Sequence, residues 1–99
     1  MEINRSRDGE RLVLELSGKL DTTTAPELSE VLENETEGVK ELEFNLKDLI
    51  YISSAGLRVL LTAYKKMQAA EGGMTVRNSN ADVRETFKIT GFDRTLGIK

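Results

Sequence analysis

Ser53 and Ser54 stand in the run Asp48-Leu49-Ile50-Tyr51-Ile52-Ser53-Ser54-Ala55-Gly56-Leu57, between a stretch that alternates like a strand and one spaced like a helix. The first turn of a helix leaves its backbone N–H groups unpaired. A hydroxyl placed there accepts one of them as an N-cap, or meets whatever anion those amides attract. No Asp or Glu occupies this first turn and Arg58 lies just beyond Gly56 and Leu57, so the positive end of the helix dipole is open to negative charge. Gly56 sits inside the turn although Gly costs roughly 1 kcal/mol there against Ala, which suggests a close backbone approach. Two readings stay open from these residues alone. One is a Ser cap beside a glycine that makes room for packing. The other is a serine that receives a phosphoryl group from a separate enzyme, its roughly −1.5 to −2 charge then resting at an amide-rich helix start. A catalytic Ser is disfavoured, because the chain has no His and places no Lys or carboxylate as its activating base.

Composition narrows the chemistry further. The 99 residues contain no His and no Cys, which removes thiolate zinc sites, Cys and His nucleophile systems, haem ligation and disulfide frameworks. Asp21 and Asp48 are two carboxylates without further placed oxygen ligands, so no metal and no cofactor are expected. Fourteen Lys and Arg against seventeen Asp and Glu give a net charge of −3, which argues against nucleic acid as a partner. No apolar run approaches the ~20 residues of a membrane span and the first residues have no signal-like apolar core, so the expected location is the cytoplasm, with no membrane partner. An apolar content of 38% with 31% charged residues fits one folded domain over residues 1–99.

The elements that must position the serines can be read from periodicity. Arg11 to Ser17 alternates, with Leu12, Leu14 and Leu16 on one side, and Asp8-Gly9 before it is a hairpin signal that pairs it with Ile3 to Arg7. Thr24-Ala25-Pro26-Glu27 has capping-box spacing, which predicts a helix from about Ala25 to Asn34 with Leu28, Val31 and Leu32 inward. Glu41 to Lys47 alternates again, with Leu42, Phe44 and Leu46 inward and polar residues outward, as in a sheet covered by helices on one side. A helix beginning near Ala55 carries Leu57, Leu60, Leu61, Tyr64 and Met67 on one face until Gly72-Gly73 stops it. Met74 to Arg77 reads as a short strand. Asn80 caps a helix bearing Val83 and Phe87 that ends at Gly91, and a last strand is expected near Leu96 to Ile98. The order is α/β, with right-handed crossovers between parallel pairs.

With the elements in place, Asn45 to Leu57 resembles the phosphorylation-site segment of STAS domains, specifically of bacterial anti-anti-sigma factors, also called anti-sigma factor antagonists. Three further stretches carry the likeness along nearly the whole chain. Gly18-Lys19-Leu20-Asp21 is similar to the family's Gly-x-Leu/Ile-Asp turn, Gly72-Gly73-Met74 to its turn after the long helix, and Thr90-Gly91-Phe92 to its late Gly-containing turn. The resemblance implies an α/β STAS-type domain with a mixed four- to five-stranded sheet covered by helices mainly on one face. It also implies a switch by partner exchange. The unphosphorylated antagonist binds an anti-sigma factor, often a serine kinase, and frees a sigma factor for transcription. Phosphorylation by that kinase releases the antagonist, and a PP2C-type phosphatase reverses the mark. By alignment the acceptor is Ser54, with Ser53 the competing hydroxyl; many members have Asp where this chain has Ser53.

Asp21 follows a strand and precedes a helix as the Ser54 segment does, so two parallel strands bring both to one sheet edge. It reads either as a partner contact or as a turn residue bonding local backbone, and Thr22, Thr23 and Thr24 share that choice, with Thr24 leaning towards capping. The expected partner surface is Asp21, Thr22, Thr23, Thr24, Ile52, Ser53, Ser54, Ala55, Gly56 and Arg58. Seven Glu between Glu27 and Glu43 against Lys40 read as a solvated face rather than a docking surface. The alternatives to the switch are a STAS scaffold that is never phosphorylated and a small-ligand-sensing module. An enzyme ranks last, for want of His, Cys or a phosphate-cradling glycine motif.

Overall fold

The alternating apolar residues build a four-stranded sheet in the computed structural model, which describes residues 1–96. The strands are β1 (Glu2–Asp8), β2 (Arg11–Leu20), β3 (Glu41–Ile52) and β4 (Gly73–Arg77), and the helices are α1 (Ala25–Glu35), α2 (Ser54–Ala69), α3 (Ala81–Thr90) and α4 (Phe92–Thr95). Sheet order is β1-β2-β3-β4, antiparallel between β1 and β2 and parallel thereafter. Leu12, Leu14, Leu16, Leu42, Phe44, Leu46, Met74 and Val76 share one buried face. They pack with Leu28, Val31 and Leu32 of α1, Leu57, Leu60, Ala63 and Met67 of α2, and Val83 and Phe87 of α3 in one core. The opposite face carries Val13, Glu15, Ser17, Glu43, Asn45 and Thr75, half-buried or exposed, and there Glu43 accepts from Arg11 at 2.8 Å and Arg77 at 3.0 Å.

Three local expectations need correction. The strand expected to stop at Lys47 continues to Ile52, so only Ser53 separates it from α2. Its pairing with β2 slips twice: Glu15 and Ser17 face Asn45 and Asp48, and Gly18 and Lys19 face Leu49 and Tyr51. Each slip puts one extra residue on β3, and each extra residue resets the alternation. Lys47-Asp48 and Ile50-Tyr51 therefore both point outward, while Leu49 and Ile52 return to the core. Thr24 does not cap α1 with its side chain, because Thr24 Oγ1 is engaged backward, donating to the Lys19 carbonyl at 2.8 Å and accepting from the Asp21 N–H at 2.9 Å. The short helix α4, which periodicity did not indicate, fills the stretch between Gly91 and Leu96. Leu96 is buried with extended backbone, and Gly97 and Ile98 lie outside the described residues.

The remaining ends follow the sequence. Asn80 Oδ1 accepts from the Val83 N–H at 2.8 Å to start α3, and Gly91 closes it with a φ of 78°. Gly72 passes so close to the start of β3 that a Cβ would lie 2.5 Å from the Lys40 carbonyl oxygen, which explains a glycine in the turn after α2.

Candidate functional site

Pairing of Leu20 with Ile52 brings the carboxyl ends of β2 and β3 side by side, and the Ser53 N–H donates to the Leu20 carbonyl at 2.9 Å. The start of α2 is thereby fastened to the loop that begins at Asp21. Ser53 is the one residue between β3 and α2, in extended conformation (φ −98°, ψ 177°), and its hydroxyl accepts from the Gly56 N–H at 3.4 Å. It is the N-cap, used locally as such residues are. Ser54 is the first helical residue and is exposed, and among the described residues no hydrogen bond engages its hydroxyl. Two adjacent serines thus have different surroundings: one is taken up by the helix, the other faces solvent.

The approach that Gly56 permits is inward. A Cβ there would lie 2.7 Å from Leu20 Cγ, 2.9 Å from Ile52 Cγ1 and 2.9 Å from the Leu20 carbonyl oxygen. The first turn of α2 presses on the end of β2, so the glycine serves packing, and it fixes where Ser54 emerges. Ile52, 3% exposed, lies beneath the same turn.

On the facing loop, Asp21 Oδ1 accepts from the N–H groups of Thr23 at 3.0 Å and Thr24 at 3.1 Å. The Thr24 N–H first, then the Thr23 N–H, the Thr24 hydroxyl and the Lys19 charge, hold the Asp21 carboxyl below its ordinary 3.8 against the upward pull of desolvation. Asp21 therefore builds the turn that starts α1, and the Ala25 N–H closes it on the Asp21 carbonyl at 2.8 Å. Thr22 and Thr23 are exposed beside it.

Of the residues expected to form one surface, Thr22, Thr23, Ser54 and Arg58 are exposed there and Asp21, Thr24, Ser53 and Ala55 half-buried, whereas Ile52 and Gly56 turn into the core and support it from below. Arg58 also lines a groove of about 240 Å³ between α1 and α2, with Ser29, Leu32, Glu33, Val59 and Lys66. Sequence reasoning missed Ile50 and Tyr51, 59% and 50% exposed, at the second slip of β3. The run of four apolar residues, Leu49 to Ile52, breaks the alternation without telling which of them face outward. Asp48 is exposed, and among the described residues no group of three or more metal-ligating side chains is placed to hold an ion.

A mixed sheet with one helix-covered face, and a serine-bearing helix start docked on a neighbouring strand-to-helix loop, define the STAS class of domain. The STAS domain family matches residues 2–99, and the chain belongs to it. It is 31% identical to BtrV of Bordetella bronchiseptica, a candidate anti-sigma factor antagonist, over 93% of this chain and 80% of that one. It is 30% identical to the anti-sigma-B factor antagonist of Bacillus subtilis, over 84% and 76%. The fold matches the Bacillus anti-sigma factor antagonist SpoIIAA in its unphosphorylated and phosphorylated forms, each with a TM-score of 0.70, at 20% and 18% identity. Those matches cover 88% and 99% of this chain and 82% and 91% of SpoIIAA. Among the described residues no helix is long and apolar enough to cross a membrane.

Proposed function

We propose that this chain is an anti-sigma factor antagonist of the cytoplasm that works by binding and release rather than by catalysis. In its unphosphorylated state it binds an anti-sigma factor through the edge formed by Asp21 to Thr24, Ser53 to Ala55 and Arg58. The partner is itself the serine kinase. The Ser54 hydroxyl oxygen attacks the γ-phosphorus of a nucleoside triphosphate, the bond from that phosphorus to the β–γ bridging oxygen breaks, the nucleoside diphosphate leaves, and the hydroxyl proton passes to a base of the kinase. The added charge, roughly −1.5 to −2, then lies in a surface that must be desolvated for binding, and the complex separates. A PP2C-type phosphatase restores the serine by hydrolysis.

The observation that carries this reading is the division of labour between the two serines, with Ser53 spent on the Gly56 N–H and Ser54 exposed and unengaged at the first helical position. The names of the relatives and the two phosphorylation states of SpoIIAA support it. The test incubates wild type, Ser53→Ala and Ser54→Ala with the cognate kinase and ATP, and locates the added mass by fragmentation. Label on wild type and Ser53→Ala but not on Ser54→Ala is the expected result. Full label on Ser54→Ala would move the acceptor to Ser53, and an unlabelled wild type would favour a scaffold that is never phosphorylated.

A further inference from the structure

We propose that Arg58 is the internal counter-ion of phosphorylated Ser54, a positioning residue that folds the phosphate down against α2 and leaves the mouth of the α1–α2 groove in doing so. The inference rests on Ser54 being the acceptor. Ser54 and Arg58 are four apart on α2, so their side chains lie one above the other on one helix face, within reach of each other. Both are exposed, and among the described residues Arg58 joins no ion pair and donates no hydrogen bond. Its guanidinium is therefore uncommitted, and its planar fork matches the oxygens of a phosphate.

The surroundings favour this pairing over others. The first turn of α2 contains no acidic residue to compete for Arg58 or to repel the phosphate. Glu33 and Lys66 line the groove with Arg58, while Lys19 near the end of β2 and Asp21 in the facing loop carry the charges on the other side of the edge. Asp21 is turned into its own loop by the Thr23 and Thr24 N–H groups, and Glu33 stands in the groove with Arg58 without forming an ion pair to it. A phosphate dianion on Ser54 offers more charge than the Glu33 carboxylate. Phosphorylation then changes the surface twice: an anion is added at the helix start, and a cation is withdrawn from beside Leu32 and Val59.

The test installs phosphoserine at position 54 during synthesis of the full chain, which removes any dependence on a kinase. Phosphorus NMR follows the second ionisation of the phosphate in otherwise wild-type protein and in Arg58→Gln. A nearby cation favours the dianion, so the midpoint is expected a few tenths of a pH unit lower with Arg58 present, with the difference vanishing in high salt. The helix amides act equally in both proteins, so the difference isolates the guanidinium. Unmodified Arg58→Gln is expected to melt with unmodified wild type, since an exposed side chain without partners is replaced. Equal phosphate midpoints in the two phosphorylated proteins would overturn the proposal. Failure of a kinase to label Ser54 would instead count against the acceptor assignment, a different result read in a different experiment.

Discussion

Replacing Gly56 by Ala tests how rigidly the start of α2 is seated on β2. The new methyl group would lie 2.7 Å from Leu20 Cγ and 2.9 Å from both Ile52 Cγ1 and the Leu20 carbonyl oxygen. The two side chains can rotate, but the carbonyl is held in place by the Ser53 N–H at 2.9 Å. Overpacking of this kind costs ~1 to 3 kcal/mol. Removing a glycine from a helix returns ~1 kcal/mol, so the net loss is about 1 kcal/mol. For a domain of this size that lowers the thermal midpoint by about 4 to 8 °C. Calorimetry of Gly56→Ala against wild type measures it directly. A midpoint equal to or above that of wild type would refute the reasoning, because it would mean that the helix shifts freely and that its docking on Leu20 does not fix the position of Ser54.

Other perturbations address the same junction. The Asp21 carboxyl is held below its ordinary 3.8, so it stabilises the fold above that value and the contribution is lost as pH falls through the lower folded value. Asp21→Asn should flatten the acid limb of a stability-versus-pH curve, and an unchanged limb would contradict the turn's role. Asn80→Ala should fall in the upper part of the ~0.5 to 2 kcal/mol range for a lost cap, because Asn80 also donates to the Leu49 carbonyl at 3.0 Å, and Ser53→Ala near the lower end, its cap bond being 3.4 Å long. Urea unfolding that reversed this order would contradict the geometry. Amide shifts on adding the anti-sigma factor should gather on Asp21 to Thr24 and Ser53 to Arg58. If they gathered instead along Glu27 to Glu41, the surface would be misplaced.

Periodicity alone located the regular parts of the fold. Leu12, Leu14 and Leu16 against Leu42, Phe44 and Leu46 set the central pair, and Asn80 by its side-chain cap and Gly91 by its positive φ bracket α3. Legibility failed where tertiary pairing overrode the local pattern. The two slips of β3 against β2 depend on which strand is the neighbour, and no window of sequence around Asp48 contains that information. The exposure of Ile50 and Tyr51 follows from those slips and was hidden with them. Thr24 had the spacing of a cap, but a competing set of bonds to Lys19 and Asp21, contributed by the preceding strand end, claimed its hydroxyl. At the site, the suspicion attached to Ser53, Ser54 and Gly56 was legible from residue type and helix position. The separation of their roles was not, because it depends on one hydrogen bond from Gly56 and on the nearness of Leu20.

The central claim is that one phosphate on Ser54 switches partner binding, and titration calorimetry tests it most directly. The anti-sigma factor is titrated with unmodified protein, with protein carrying phosphoserine at position 54, and with Ser54→Ala. The phosphate must be desolvated in the interface even with Arg58 beside it, so phosphorylation should weaken binding by at least ~10-fold, whereas Ser54→Ala should bind as the unmodified chain does. Equal affinity of the phosphorylated and unmodified proteins would contradict the account.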